Sequence, residues 1–240
     1  MALLAVEELR AQFGGIVALS DLSFTVEPGE ICALIGPNGA GKTTLFNCVS
    51  RLYEPKSGRI AFDGHDLLSL PAHGIARAGI ARTFQNLALF PALTVLENVL
   101  VGGYSRKAST STRRAEAHQI LERLSLAEFA DRRATGLPYG TLKRVEIARA
   151  LAARPRLLLL DEPAAGLTHS EVDELSNLIR SLRDELALTV LLVEHHMAMV
   201  MAISDRIVVL EFGSKIAEGA PAEVRENPRV IEAYLGAPAS

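Results

Sequence analysis

Residues 36–43 read Gly36-Pro37-Asn38-Gly39-Ala40-Gly41-Lys42-Thr43, which satisfies G-x-x-x-x-G-K-[ST] at every fixed position. Glycines at this spacing let backbone N–H groups wrap phosphate oxygens, and a helix starting at the lysine adds its N-terminal partial charge. Lys42 is expected to reach the β- and γ-phosphates, and Thr43 to ligate Mg²⁺. Gly36, Asn38, Gly39, Ala40, Gly41 and Thr44 complete the expected phosphate contacts. A chance glycine-rich turn is the alternative. It is disfavoured because an apolar run precedes the loop and a helical pattern follows it.

A second constellation lies downstream, where Leu157 to Leu160 run into Asp161-Glu162-Pro163. A carboxylate at the C-terminal end of a parallel strand sits where Mg²⁺ can be held near phosphates. Asp161 is therefore the expected metal ligand, directly or through water. Glu162 is the candidate for polarising the attacking water, because hydrolysis needs a base in line with the γ-phosphate. His195 and Gln85 each stand at the end of an expected strand. An imidazole there can contact the γ-phosphate or the water, but a lone histidine is as readily structural, and His196 beside it has the same claim. Gln85 can sense Mg²⁺ and nucleotide. Residue type and position leave both assignments open.

These residues need strands to carry them. ICALI (31–35), LLLL (157–160), TVLLV (189–193) and residues 206–210 are apolar runs, as strands buried on both faces require. Helical patterns over residues 42–51, 142–153 and 170–185 alternate with them, which implies a mainly parallel sheet covered on both faces. Residues 5–11, 16–26 and 59–62 are expected as strands of an antiparallel edge sheet. A short helix over 71–79 and a strand over 80–85 follow. Thr94 and Glu97 have capping-box spacing, and residues 108–130 carry a helical pattern. Residues 93–136 thus form an expected helical sub-domain inserted in the core. Two short helices, 223–229 and 230–235, are expected at the end, with residues 237–240 frayed.

The chain has 240 residues, 49% hydrophobic and 22% charged, with a net charge of −3. That fits one large domain, or one domain carrying an insertion. No basic nucleic-acid footprint is present, and 5% aromatics with no Trp disfavour a base-stacking binder. Cys32 and Cys48 lack metal-ligand spacing, which suits a reducing compartment. The longest charge-free stretch, residues 83–96, contains Gln85, Asn86 and Pro91 and is too short and polar to span a bilayer. The N-terminus lacks the basic segment of a secretory signal. A cytosolic protein is expected, which leaves docking on a membrane protein open.

The ordered set GPNGAGKTT, TFQN, LPYGTLKRVEIARAL, LLLLDEPAAGL and VEHHM resembles the nucleotide-binding subunit of ABC transporters over essentially the whole chain. The resemblance implies an α/β P-loop NTPase core with a mainly parallel sheet, an N-terminal antiparallel edge sheet and an inserted helical sub-domain. Residues 1–240 would be one nucleotide-binding domain with 93–136 set within it. ATP and Mg²⁺ are the implied cofactors. Lys42, Glu162, His195 and Gln85 would be catalytic, with Thr43, Gln85 and Asp161 at the metal. Phe13 matches the aromatic that stacks on adenine. Residues 137–141 match the signature loop, whose Tyr139 and Gly140 would contact the ATP of an opposite subunit in a head-to-tail dimer. Residues 164–168 match the loop that communicates across that interface.

The signature departs from the family pattern. Pro138, Tyr139 and Thr141 replace the usual serine, glycine and glutamine, and Thr168 replaces an acidic residue. Proline has no N–H to offer a phosphate. The FQNLALFP segment, the YG signature, DEPAAGL, VEHHM and the tail ENPRVIEAYLG are similar to the LivG-type ATPases of branched-chain amino acid importers. The implied partners are a homologous ATPase subunit, in a heterodimer or homodimer, and two transmembrane permease subunits at the cytoplasmic face. A periplasmic or extracellular solute-binding protein would act indirectly, and no nucleic acid is involved. Two alternatives remain at this level: transport of another small solute, and a weakly hydrolysing regulatory subunit.

Overall fold

The computed structural model describes residues 1–235. The expected frayed end, residues 237–240, lies outside them. β1 (Leu4–Phe13) and β2 (Ile16–Val26) pair antiparallel across Gly14-Gly15. β3 (Ile31–Ile35) is buried at every position and leads through the glycine loop into α1 (Lys42–Val49). β4 (Ser57–Phe62) and β5 (His65–Asp66) complete a four-stranded antiparallel sheet ordered β2-β1-β4-β5. α2 (Ile75–Ala78) precedes β6 (Ile80–Arg82), and α3 (Val95–Gly102), α4 (Thr110–Arg123) and α5 (Tyr139–Leu151) follow. The chain closes with β7 (Leu157–Asp161), α6 (His169–Leu186), β8 (Thr189–Val193), α7 (Met197–Ile203), β9 (Arg206–Glu211), β10 (Ser214–Gly219), α8 (Pro221–Glu226) and α9 (Pro228–Leu235).

The second sheet is ordered β10-β9-β3-β8-β7-β6. All its pairs are parallel except β9 with β10. Both faces are covered. Leu157, Leu159, Leu191 and Val193 pack with Leu45 and Phe46 of α1 and with β1 and β2. Leu158, Leu160, Val190 and Leu192 pack instead with Val99 of α3, Val145 of α5 and Leu175 of α6. This two-sided burial explains the uninterrupted apolar runs. Because β3, β8 and β7 are adjacent and parallel, their C-terminal ends open on one edge, where ligands of open α/β sheets bind.

Residues 93–134 fold back on their own start. Val95 N–H donates to Arg132 O (2.9 Å), Leu96 N–H to Ala130 O (3.0 Å) and Ala134 N–H to Leu93 O (3.1 Å). Thr94 and Glu97 form the expected capping box at α3.

Several expected boundaries move. β6 stops at Arg82 rather than reaching Gln85, because the Thr83 hydroxyl turns to accept from Asp161 N–H (3.3 Å). The helix expected over 108–130 ends at Arg123, since Ser125 takes a left-handed φ of 55°. The helix expected from 142 begins three residues earlier, at Tyr139 after Pro138. The two terminal helices begin at Pro221 and Pro228, residues suited to a first helical turn. Cys32 and Cys48 are free and buried, and burial pushes the Cys48 thiol up to about 11.

Candidate active site

The phosphate-loop residues are fixed by close backbone packing. A Cβ on Gly36 would lie 2.1 Å from Leu210 O of β9, and one on Gly41 2.5 Å from Ala18 O of β2. Gly41 also needs φ 102° to start α1. Only glycine meets both demands. Lys42 is 8% exposed, and its Nζ donates to Gly36 O (2.6 Å) and Pro37 O (3.0 Å). Burial holds its pKa below the usual lysine value, while the Glu162 and Asp161 carboxylates push it back up. Asn38, Gly39 and Thr43 are exposed along the loop, with Thr44 half-buried and Ala40 buried.

Asp161 ends β7 and is 2% exposed. Its Oδ2 accepts from Arg82 Nη2 at 2.8 Å. Arg82 Nη1 donates to Asn47 Oδ1 (2.8 Å) and Ser50 Oγ (3.2 Å) of the α1 region. The guanidinium lies over the rings of Phe46 and Phe84. Glu162 follows with φ 48°, a strained value for a non-glycine residue. Its N–H donates to Val193 O of β8 (2.8 Å), which helps hold that backbone. Gln85 Nε2 donates to Glu162 Oε2 (2.8 Å), and His195 Nδ1 lies 3.8 Å from the same oxygen. Of the residues picked from the sequence, Gln85 and His195 thus gather at Glu162, and Lys42 lies near enough to feel the Glu162 and Asp161 charges.

Phe13, Tyr139 and Gly140 lie in other settings. Phe13 ends β1, 44% exposed, edge-on to Tyr53 with centroids 5.0 Å apart. Tyr139 opens α5 beside Gly166 and lies 5.6 Å under Lys143 Nζ. A Cβ on Gly140 would meet Glu171 Oε1 at 2.6 Å. Pro138 caps α5 without a side-chain bond.

Sequence reasoning missed Arg82, Glu146 and Glu194. Glu146 of α5 is 2% exposed and accepts from Phe84 N–H (3.1 Å) and Ala88 N–H (3.4 Å) of the Gln85 loop. Burial raises its pKa against those bonds. Glu194 extends β8 into the interior at 1% exposure. Its signal was an acidic residue directly after a wholly apolar run.

A family model for ABC transporters matches residues 19–165. The chain belongs to the ABC transporter ATP-binding family. A second model, described as branched-chain amino acid ATP-binding cassette transporter, matches residues 214–240. The chain is similar to the high-affinity branched-chain amino acid transport ATP-binding protein BraF of Pseudomonas aeruginosa, 46% identical over 98% of each chain. It is 47% identical to the corresponding protein LivG of Salmonella typhimurium, again over 98% of both. A crystal structure of the ADP conformation of an ABC transporter cassette is 32% identical, covers 99% of this chain and 100% of that one, and superposes with a TM-score of 0.89. The fold as a whole is thus that of an ABC cassette.

The donor set of this ABC protein fits a nucleotide with Mg²⁺. Thr43 offers a hydroxyl and Asp161 a carboxylate. Gln85, with its amide nitrogen turned to Glu162, has its amide oxygen left as an acceptor. All three are hard oxygen donors. Among the described residues no group of three or more His, Cys, Asp or Glu side chains forms a metal cage. Mg²⁺ commonly relies on one or two carboxylates plus substrate phosphates, so a sparse protein donor set suits it.

Proposed function

We propose that this chain is the ATP-hydrolysing subunit of an importer for branched-chain or related hydrophobic amino acids, working at the cytoplasmic face of the membrane. The observation that carries this reading is the gathering of Gln85 and His195 at Glu162, with Lys42 near the Glu162 and Asp161 charges. The branched-chain relatives and the match over residues 214–240 favour the substrate class. Among the described residues no helix is long and apolar enough to cross a membrane, and the reading assigns the transport path to partner subunits.

The chemistry follows from the residues in place. The loop from Gly36 to Thr44 cradles the triphosphate with its N–H groups, and Phe13 stacks on the adenine. Lys42 exchanges its two carbonyl partners for β- and γ-phosphate oxygens. Thr43, Asp161 and Gln85 would hold Mg²⁺, which when bound neutralises phosphate charge. Glu162 takes a proton from water as the water oxygen bonds to the γ-phosphorus and the β–γ bridging oxygen leaves with ADP. His195 fixes the γ-phosphate. Tyr139 and Gly140 of this chain close over the ATP of the partner ATPase, whose own signature loop closes over the ATP held here, and residues 93–136 form the contact to the permease. Closure is a population shift, driven by nucleotide contacts made only in the closed dimer.

The test is purification of the tagged chain from native membranes, reconstitution in liposomes, and uptake of labelled leucine with ATP inside or outside. The reading expects two permease subunits and a second ATPase to co-purify, with leucine uptake dependent on ATP at this chain's side. Uptake of a different solute only would overturn the substrate class. Absence of any ATP hydrolysis would overturn the enzymatic role.

A further inference from the structure

We propose that Glu194 is a positioning residue that locks the two strand-end loops carrying Glu162 and His195 into one body. The inference rests on the hydrolytic reading above. Glu194 directly follows β8, and its side chain is shut away from water. One carboxylate oxygen, Oε1, accepts from Ala164 N–H at 2.7 Å, in the loop after β7. The other, Oε2, accepts from His195 N–H at 2.8 Å and His196 N–H at 3.0 Å, in the loop after β8. Among the described residues the one basic side chain within salt-bridge distance is that of exposed His195, with Nδ1 at 3.9 Å.

A carboxylate taken out of water is costly unless hydrogen bonds replace its hydration. Here the replacement is three backbone donors drawn from two loops. Charge-assisted bonds to buried N–H groups are short and strong, so they set geometry as well as stability. The donors are well chosen for this. Ala164 lies two residues after Glu162, whose strained φ of 48° must be held by its surroundings. His195 donates from its own backbone, so the bond fixes where its ring starts. The backbone bond from Glu162 N–H to Val193 O (2.8 Å) is a second tie between the same loops.

Glu194 touches neither phosphate nor water in this account and acts only through the residues it holds. Glutamine cannot replace it, because the amide has one acceptor oxygen and would turn an NH₂ group toward a backbone donor. Aspartate keeps the charge but is one methylene short of spanning both loops.

The experiment is a double-mutant cycle on ATP turnover in the assembled transporter, using Glu194→Gln, His195→Ala and the pair, with equilibrium binding of a fluorescent ATP analogue alongside. Glu194→Gln is expected to lower kcat by about tenfold or more while analogue affinity stays within about twofold. The losses are expected to combine to less than their product, because the part of the Glu194→Gln loss that acts through the His195 ring vanishes in the His195→Ala background while the part that acts through Glu162 persists. Unchanged kcat in Glu194→Gln, or losses that multiply, would overturn the inference. So would a fall in analogue affinity equal to the fall in kcat, the mark of a general structural defect. Should the glutamine variant not fold, Glu194→Asp decides by the same criteria. A wild-type transporter that hydrolyses no ATP overturns the hydrolytic reading and this inference together. A hydrolysing wild type with a fully active Glu194→Gln overturns this inference alone.

Discussion

Lys42 is 8% exposed and Asp161 2%, whereas Tyr139 at the start of α5 is 42% exposed. The first two are held by their own chain. Carbonyls of the loop take the Lys42 ammonium, and Arg82 takes the Asp161 carboxylate. Tyr139 rests on Gly166 and beneath Lys143, with one face of the residue in the open. The difference separates two tasks. On the proposed function, Lys42 and Asp161 would meet phosphate and metal from a buried, pre-built frame, where electrostatic interactions are strong and reorganisation is small. Tyr139, proposed to meet a partner subunit, stays at the surface, where its geometry would be completed by association.

The comparison breaks first at Lys42. Lys42→Ala removes the only ammonium held in the phosphate loop, and ATP affinity is expected to fall by about a hundredfold or more, on the order of 3 kcal/mol. Titration with a fluorescent ATP analogue checks this. Glu162→Gln comes next. It is expected to keep ATP affinity but lower turnover by about 10²–10⁴-fold, and ATP should then drive dimerisation visible by light scattering. Monomers in excess ATP would count against Glu162 as the group that handles the water.

Arg82→Met probes the frame itself. Asp161 would remain as a buried charge without its partner, and a loss of about 3–5 kcal/mol is expected in urea unfolding. The same measurement on Tyr139→Ala should show little change, which is the sharpest form of the contrast. The smallest effect is expected from Pro138→Ser. Serine supplies a cap that proline lacks, adding about 1 kcal/mol to α5. It also restores a donor toward a partner's γ-phosphate, so turnover should rise modestly in the dimer. Unchanged turnover would mean that the backbone of Tyr139 and Gly140 already suffices.

Much of the frame was legible because it is local. ICALI, LLLL and TVLLV could only be strands buried on both faces, and the glycine-lysine-threonine run carries its own geometry. β10 was not legible: Ser214–Gly219 has no apolar run, since it lies half-buried at a sheet edge. α7 was missed because MAMVMAI is apolar without a helical period. The buried partners were hidden for a different reason. Arg82 and Asp161 are 79 residues apart and Glu194 and Ala164 are 30 apart. Strand order and register bring each pair together, and a single sequence does not print register. Tyr139 was expected in a loop, and it instead opens α5 directly after Pro138, which offers no side-chain cap to announce the helix.

The most direct test of the central claim is a structure of the Glu162→Gln protein crystallised with ATP and Mg²⁺. The triphosphate is expected inside residues 36–44, with Lys42 turned from Gly36 O and Pro37 O onto its oxygens and Thr43 and Asp161 among the groups that would hold the metal. A triphosphate bound outside that loop, or Lys42 still on its two carbonyls with nucleotide present, would contradict it.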